Sequence, residues 1–188
     1  MKGAGWIVLA IVLLLVLVPL LGAIGQRNRM VTLDEAADAA WANVDTVLQR
    51  RYDLIPNLVN TVRGFAAHER EILEEVTRLR SQWGEARTPA ERADAATQME
   101  GALGRLMVVV EGYPDLKANQ NFLALQDELA GTENRIAVER RRYNEAVRAY
   151  NTAIRRFPGN VYAGFFGFER RTPFEAASAA REAPVVTF

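Results

Sequence analysis

The chain contains no cysteine, which excludes disulfides, thiolate catalysis and cysteine-ligated metals. That absence selects no compartment, since a disulfide-free helical protein suits either side of a membrane. Histidine is almost missing as well, with His68 the single example. A carboxylate-bridged metal site in a helical bundle needs a Glu-x-x-His pair on each of two helices. No such pair occurs, and His68 precedes Glu69, so on a helix the two point about 100° apart. No metal and no cofactor is expected. Lys2 and Lys117 are the only lysines among 23 basic residues, a bias without functional weight. The 23 acidic residues balance them, so no global field points to nucleic acid, and none is expected as a partner. Gly-rich phosphate loops, nucleophile elbows and zinc motifs are all lacking. An enzyme is therefore not expected.

What the chain does have is a long apolar start. Residues 6–24 form a run of 19 without a charge. As a helix the run extends about 28 Å, close to the hydrocarbon thickness of a bilayer. Trp6 suits an interface, and Pro19 is tolerated in a spanning helix because local adjustments satisfy the freed carbonyl. A cleaved signal peptide is the rival, with Ala23 and Gly25 as a small-x-small site. Such peptides carry apolar cores of about 7–15 residues, shorter than this run, so a retained anchor over residues 1–27 is the expectation. Lys2 and the amino terminus stand on one side, Arg27 and Arg29 on the other, which leaves the orientation open.

Beyond the anchor, residues 28–160 read as helical, with no strand pattern. Thr32 followed by Glu35 resembles a capping box, starting a helix near Leu33. Its apolar positions include Ala37, Ala40, Trp41, Val44 and Leu48. Pro56 is expected to kink or restart the helix, with Asp53 as a new N-cap. Helical periodicity then resumes to Trp83, and Gly84 ends it. Thr88, Pro89 and Glu91 make a second capping box, opening a helix with Ala96, Met99, Leu103, Leu106, Val110 and Tyr113 on one face. Gly112 and Pro114 stop that helix. The longest helix is expected over about 121–157, where Phe122, Leu129, Ile136, Tyr143, Tyr150 and Phe157 recur every seven residues. Short connections favour antiparallel neighbours, so the fold class is all-α: an elongated antiparallel helical bundle with an N-terminal transmembrane helix.

One stretch departs from ordinary amphipathic patterning. Residues 49–69, QRRYDLIPNLVNTVRGFAAHE, combine an arginine pair, a proline and polar groups on a face that should be buried. Counting heptads from Ile55, the core register passes Leu58, Val62, Phe65, Glu69, Ile72, Val76, Leu79 and Trp83. Glu69 is the one polar residue in that seam, and a buried carboxylate demands a partner. Glu69, Glu133, Asn134, Arg140, Asn144 and Asn151 are read together as polar contacts that fix helix pairing. Arg140, Arg141 and Arg142 spread over about 200° of a helix, so they form no single anion patch.

The 49–69 stretch resembles the signature of the LemA family of membrane-anchored helical proteins. Two further blocks carry the likeness: YPDLKANQNF over residues 113–122, and ELAGTENRIAVERRRYNEAVRAYN over 128–151, followed by Phe157, Pro158 and Asn160. With the apolar start, the resemblance covers about residues 5–168 in the family's order. It implies a role in membrane or envelope organisation, and a magnetosome-associated branch of the family points the same way.

Residues 161–188 form a separate aromatic segment. Tyr162, Phe165, Phe166 and Phe168 sit among glycines, and Thr172, Pro173 and Glu175 open a short alanine-rich helix to about Glu182. The aromatics either pack back on the bundle end or form a patch that meets lipid or a partner. The leading expectation is a non-enzymatic, single-pass protein of the bacterial plasma (inner) membrane. It acts as a scaffold that self-associates through bundle sides, coiled-coil fashion, and through these aromatics. The alternative is a membrane-tethered adaptor presenting a helical groove to a membrane protease or other envelope protein.

Overall fold

A computed structural model describes residues 2–174. Six helices account for most of them: α1 (Lys2–Phe65), α2 (Arg70–Glu85), α3 (Pro89–Val110), α4 (Pro114–Lys117), α5 (Gln120–Arg155) and α6 (Gly159–Phe166). No strand occurs among the described residues. The protein is all-α, and the first part of α1 is long and apolar enough to cross a membrane. The expected helix over 175–182 lies outside the described residues.

Two compact units make up the chain, one combining α1 up to Ala39 with Asn144–Pro173, the other beginning at Ala40 and running to Tyr143. The second unit is an antiparallel four-helix bundle of the rest of α1, α2, α3 and the first part of α5. Ion pairs fix the directions: Arg50 meets Glu128 and Arg51 meets Glu133, while Trp41, earlier on α1, stacks edge-on against the later Tyr143. Glu75 of α2 likewise pairs with Arg105 of α3. Its core is filled by Val44, Leu48, Tyr52, Ile55, Leu58, Leu79, Met99, Leu106, Phe122 and Ile136, all fully or nearly fully buried. The capping box that opens α3 forms as the sequence suggests, with Thr88 accepting from the Glu91 amide and Glu91 accepting from the Thr88 amide.

Four local expectations fail, each for a physical reason. No helix starts at Leu33, because α1 already runs through that point and supplies the backbone partners a cap would replace. Thr32 instead bonds back to the carbonyl of Asn28, 3.0 Å away within the same helix. Pro56 neither restarts nor ends α1. The carbonyl it orphans four residues earlier, on Tyr52, accepts from Arg80 Nε of α2 at 3.3 Å, so a neighbouring helix replaces the lost bond. The chain turns at residues 66–69 instead, ahead of Trp83, and the buried register shifts there from Ile72 to Leu73. Because the apolar run and the first bundle helix are one helix, α1 rather than α5 is the longest.

The first unit packs Met30 of α1, Tyr150 and Ile154 of α5 and Ala163 of α6 into a small core, with Leu33, Tyr162 and Phe168 against it. Gly159 begins α6 where a Cβ would lie 2.2 Å from the Ala153 carbonyl oxygen, so no larger residue fits. Gly167 closes α6 in the left-handed region, at φ 74°. Phe157, expected on the buried stripe of α5, follows the end of that helix and is 83% exposed.

Candidate functional site

The residues read from the sequence as one polar seam divide between the two units. In the bundle, Glu69 sits half-buried at the α1–α2 corner and accepts a 2.7 Å bond from the Tyr113 hydroxyl. That bond holds the phenol's proton above its ordinary range. Glu133, half-buried on α5, pairs at 2.5 Å with Arg51, whose side chain is only 10% exposed. Arg140 stands over the ring of Phe174 and 3.9 Å from Glu100. Asn134 is exposed and does not join them, since its place on α5 faces away from the packed stripe of Leu129, Ile136 and Tyr143. The bundle also carries an aromatic stack that sequence reasoning missed, with Tyr52 and Trp83 4.2 Å apart and nearly parallel. Arg92 covers the indole and pairs with Asp45, while burial pushes the Tyr52 phenol well above its usual range.

In the first unit, Asn144 is half-buried, and Asn151 closes a clasp on the segment after α6. The Asn151 side chain accepts from the Arg171 amide at 3.0 Å and donates to the Arg171 carbonyl at 2.8 Å. Tyr150 donates to the carbonyl of Glu169 at 2.8 Å. The Arg171 guanidinium then reaches α1, with Nε donating to Asp34 at 2.6 Å and the two terminal nitrogens to Asp38 at 2.5 and 2.8 Å. Asn151 therefore holds a backbone segment in place, a different task from setting helix register. Hydrogen bonding from Arg171 keeps the Asp38 carboxyl below its usual value despite partial desolvation. Asp34 and Asp38 lie one turn apart on α1, but nothing in sequence spacing connects them to Arg171.

Beside the clasp runs an open cleft of about 810 Å³ lined by Asn144, Arg148, Arg155, Arg156 and Arg170. Among the described residues no carboxylate lines it, and the charge of Arg171 is already met by Asp34 and Asp38. Guanidinium groups so gathered suit phosphate or carboxylate oxygens. A neighbouring cleft of about 720 Å³ joins Arg29 of α1 to Arg148 and Arg156, with Glu145 the one acid among its described lining residues.

The aromatic segment does not form one exposed block. Tyr162 and Phe168 pack against the Met30 core, and Phe166 is half-buried with Arg27 6.0 Å above its ring. Phe165 alone projects, 83% exposed. Glycine and the helical turn of α6 alternate these rings between inside and outside. Of the proposed anchor residues, Trp6 is exposed, and the Pro19 carbonyl receives the Tyr162 hydroxyl at 3.2 Å.

The clasp has a testable dependence on pH. A carboxyl whose folded pKa is lowered contributes stability above its unfolded value of 3.8 and loses it as pH falls through the folded value. Amide exchange at residues 168–172 is expected to stay slow from neutral pH down to about 4 and to rise, beyond the intrinsic trend, below that. Asn151→Ala should release the same amides at every pH while leaving the bundle's exchange unchanged.

A profile of the LemA family matches residues 40–188. Magnetosome protein MamQ 2 of Paramagnetospirillum magneticum is 29% identical over 188 aligned positions, covering 86% of this chain and 69% of its own. Magnetosome protein MamQ of Magnetospirillum gryphiswaldense is 27% identical over 212 positions, covering 99% and 78%. Protein LemA of Metamycoplasma hominis is 24% identical over 162 positions, covering 84% and 73%. Because the family match takes in the whole four-helix bundle together with Asn151 and Arg171, the chain belongs to the LemA family.

Proposed function

We propose that the protein is a non-enzymatic scaffold, held in the bacterial inner membrane by the start of α1, that self-associates to organise that membrane. The observation that carries this reading is a set of exposed apolar side chains at one end of the four-helix bundle. Phe65 closes α1, Val108 lies near the close of α3, and Leu123 opens α5; they are 43%, 69% and 45% exposed. The antiparallel order brings all three to the same end of that bundle. Confinement to a bilayer raises the effective concentration of copies, so modest apolar contacts become significant. Relatives carrying the name magnetosome protein are consistent with this reading.

Purification in mild detergent tests this directly. Large homogeneous particles are expected, and Phe65→Ser with Val108→Ser should reduce them towards single copies without loss of helical content. The second reading, an adaptor tethered to the membrane, is favoured by the arginine-lined cleft, which fits an acidic segment of an envelope protein or membrane protease. Wild-type monomers in detergent would favour that adaptor over the scaffold.

A further inference from the structure

We infer that α6 is a second membrane contact: a short helix immersed at the lipid headgroup boundary of the bilayer that α1 crosses. The inference rests on the reading of residues 6–24 as a membrane span. Several placements within the first unit lead to it. The Tyr162 hydroxyl bonds to the carbonyl of Pro19 at 3.2 Å and lies 3.4 Å from where a Cβ of Gly22 would be. Phe166 lies beneath Arg27, and the start of α6 packs on Met30. Residues 19–30 of α1 thus set the level of α6, and Ile24, the last residue of the apolar run, falls in the middle of that interval. Pro19 is five residues inside the run, about 7 Å at the rise of an α-helix. Interfacial helices bury their apolar faces about 5–10 Å into the headgroup and acyl boundary.

The outward face of α6 has the matching chemistry. The sequence of the helix, GNVYAGFF, carries no charge. Val161 and Phe165 are one turn apart on one side, 60% and 83% exposed, and Phe157 just before the helix is 83% exposed. In water, three such side chains standing out beside a membrane span are unfavourable; at the boundary they are covered by acyl chains. Arginines flank the helix on its polar side. Arg29, Arg148 and Arg156 line the cleft that reaches Phe157, and Arg27 is level with Phe166. Their long stems and charged heads suit phosphate groups of anionic lipids at that depth. The occupant of this face is therefore lipid.

The chain's lack of cysteine makes the test direct, because a single introduced thiol is the only labelling site. Full-length protein carrying Leu17→Cys, Phe165→Cys or Ala137→Cys is spin-labelled and reconstituted in vesicles of phosphatidylcholine and phosphatidylglycerol. Relative accessibility to oxygen, which partitions into lipid, and to a water-soluble nickel complex reports the depth of each label. Leu17 should read as deep hydrocarbon, Phe165 as about 5–10 Å below the phosphates, and Ala137, exposed on α5, as aqueous. A deep Leu17 with an aqueous Phe165 overturns the inference and leaves the anchor standing. A deep Leu17 with Phe165 shielded from both reagents also overturns it and assigns that face to a second copy. An aqueous Leu17 removes the span itself, and with it the ground for both.

Discussion

Glu133→Ala is expected to cost the bundle on the order of 3 kcal/mol, whereas Arg51→Met should leave its stability within about 1 kcal/mol of the parent. The asymmetry follows from burial. The Arg51 side chain is 10% exposed and Glu133 39%, so removing the glutamate strands a charge that water hardly reaches. Removing the arginine uncovers a carboxylate whose side chain is already 39% exposed, and methionine restores apolar volume at that position. The cost lies at the low end for broken buried pairs because Glu133 is only half-buried. Thermal unfolding followed by circular dichroism should show Glu133→Ala melting about 6–12 °C lower. Equal losses from the two variants would mean that the pair, and not the stranded charge, sets the effect.

Deleting residues 1–25 is expected to change the protein from one that resists alkaline carbonate extraction to one that is released by it. That segment includes the whole uncharged run, and its apolar side chains are exposed through residues 11–21. No bundle core residue is lost, since the bundle begins at Ala40 and the buried set among the described residues begins at Met30. Circular dichroism should still report a folded helical protein. The exposed face of α6 remains in this variant, and a single interfacial helix gives only weak, reversible membrane binding. Weak, salt-sensitive flotation with anionic vesicles is therefore compatible with the deletion, while carbonate resistance is not.

How far the sequence speaks for the structure varies with how local the determining contacts are. The Thr88–Glu91 capping box was legible because all its partners lie within four residues. The alternating stripe of Phe122, Leu129, Ile136, Tyr143 and Tyr150 was legible because helical repeat alone places it. Pro56 was misread because the donor that rescues the Tyr52 carbonyl comes from Arg80, 28 residues away. Glu69 was the useful anomaly. Its polarity in a core register marks a corner where the chain reverses, and the Tyr113 hydroxyl is the partner that meets it. Arg171 left no trace in the pattern at all. Its partners lie 133 and 137 residues away, and an arginine near a terminus reads as a solvated charge until the fold brings Asp34 and Asp38 to it. The aromatic segment shows an intermediate case: composition flagged Tyr162, Phe165, Phe166 and Phe168, but only helix geometry separates the rings that pack from the one that projects.

Counting copies in the membrane separates a self-associating scaffold from a single tethered chain. Full-length protein carrying one fluorophore per chain is placed in a supported bilayer at high density, and bleaching steps are counted spot by spot. Clusters of several copies, diminished by Phe65→Ser with Val108→Ser, are the expected result. Single-step spots at every density would contradict the scaffold and leave the chain a membrane-tethered adaptor.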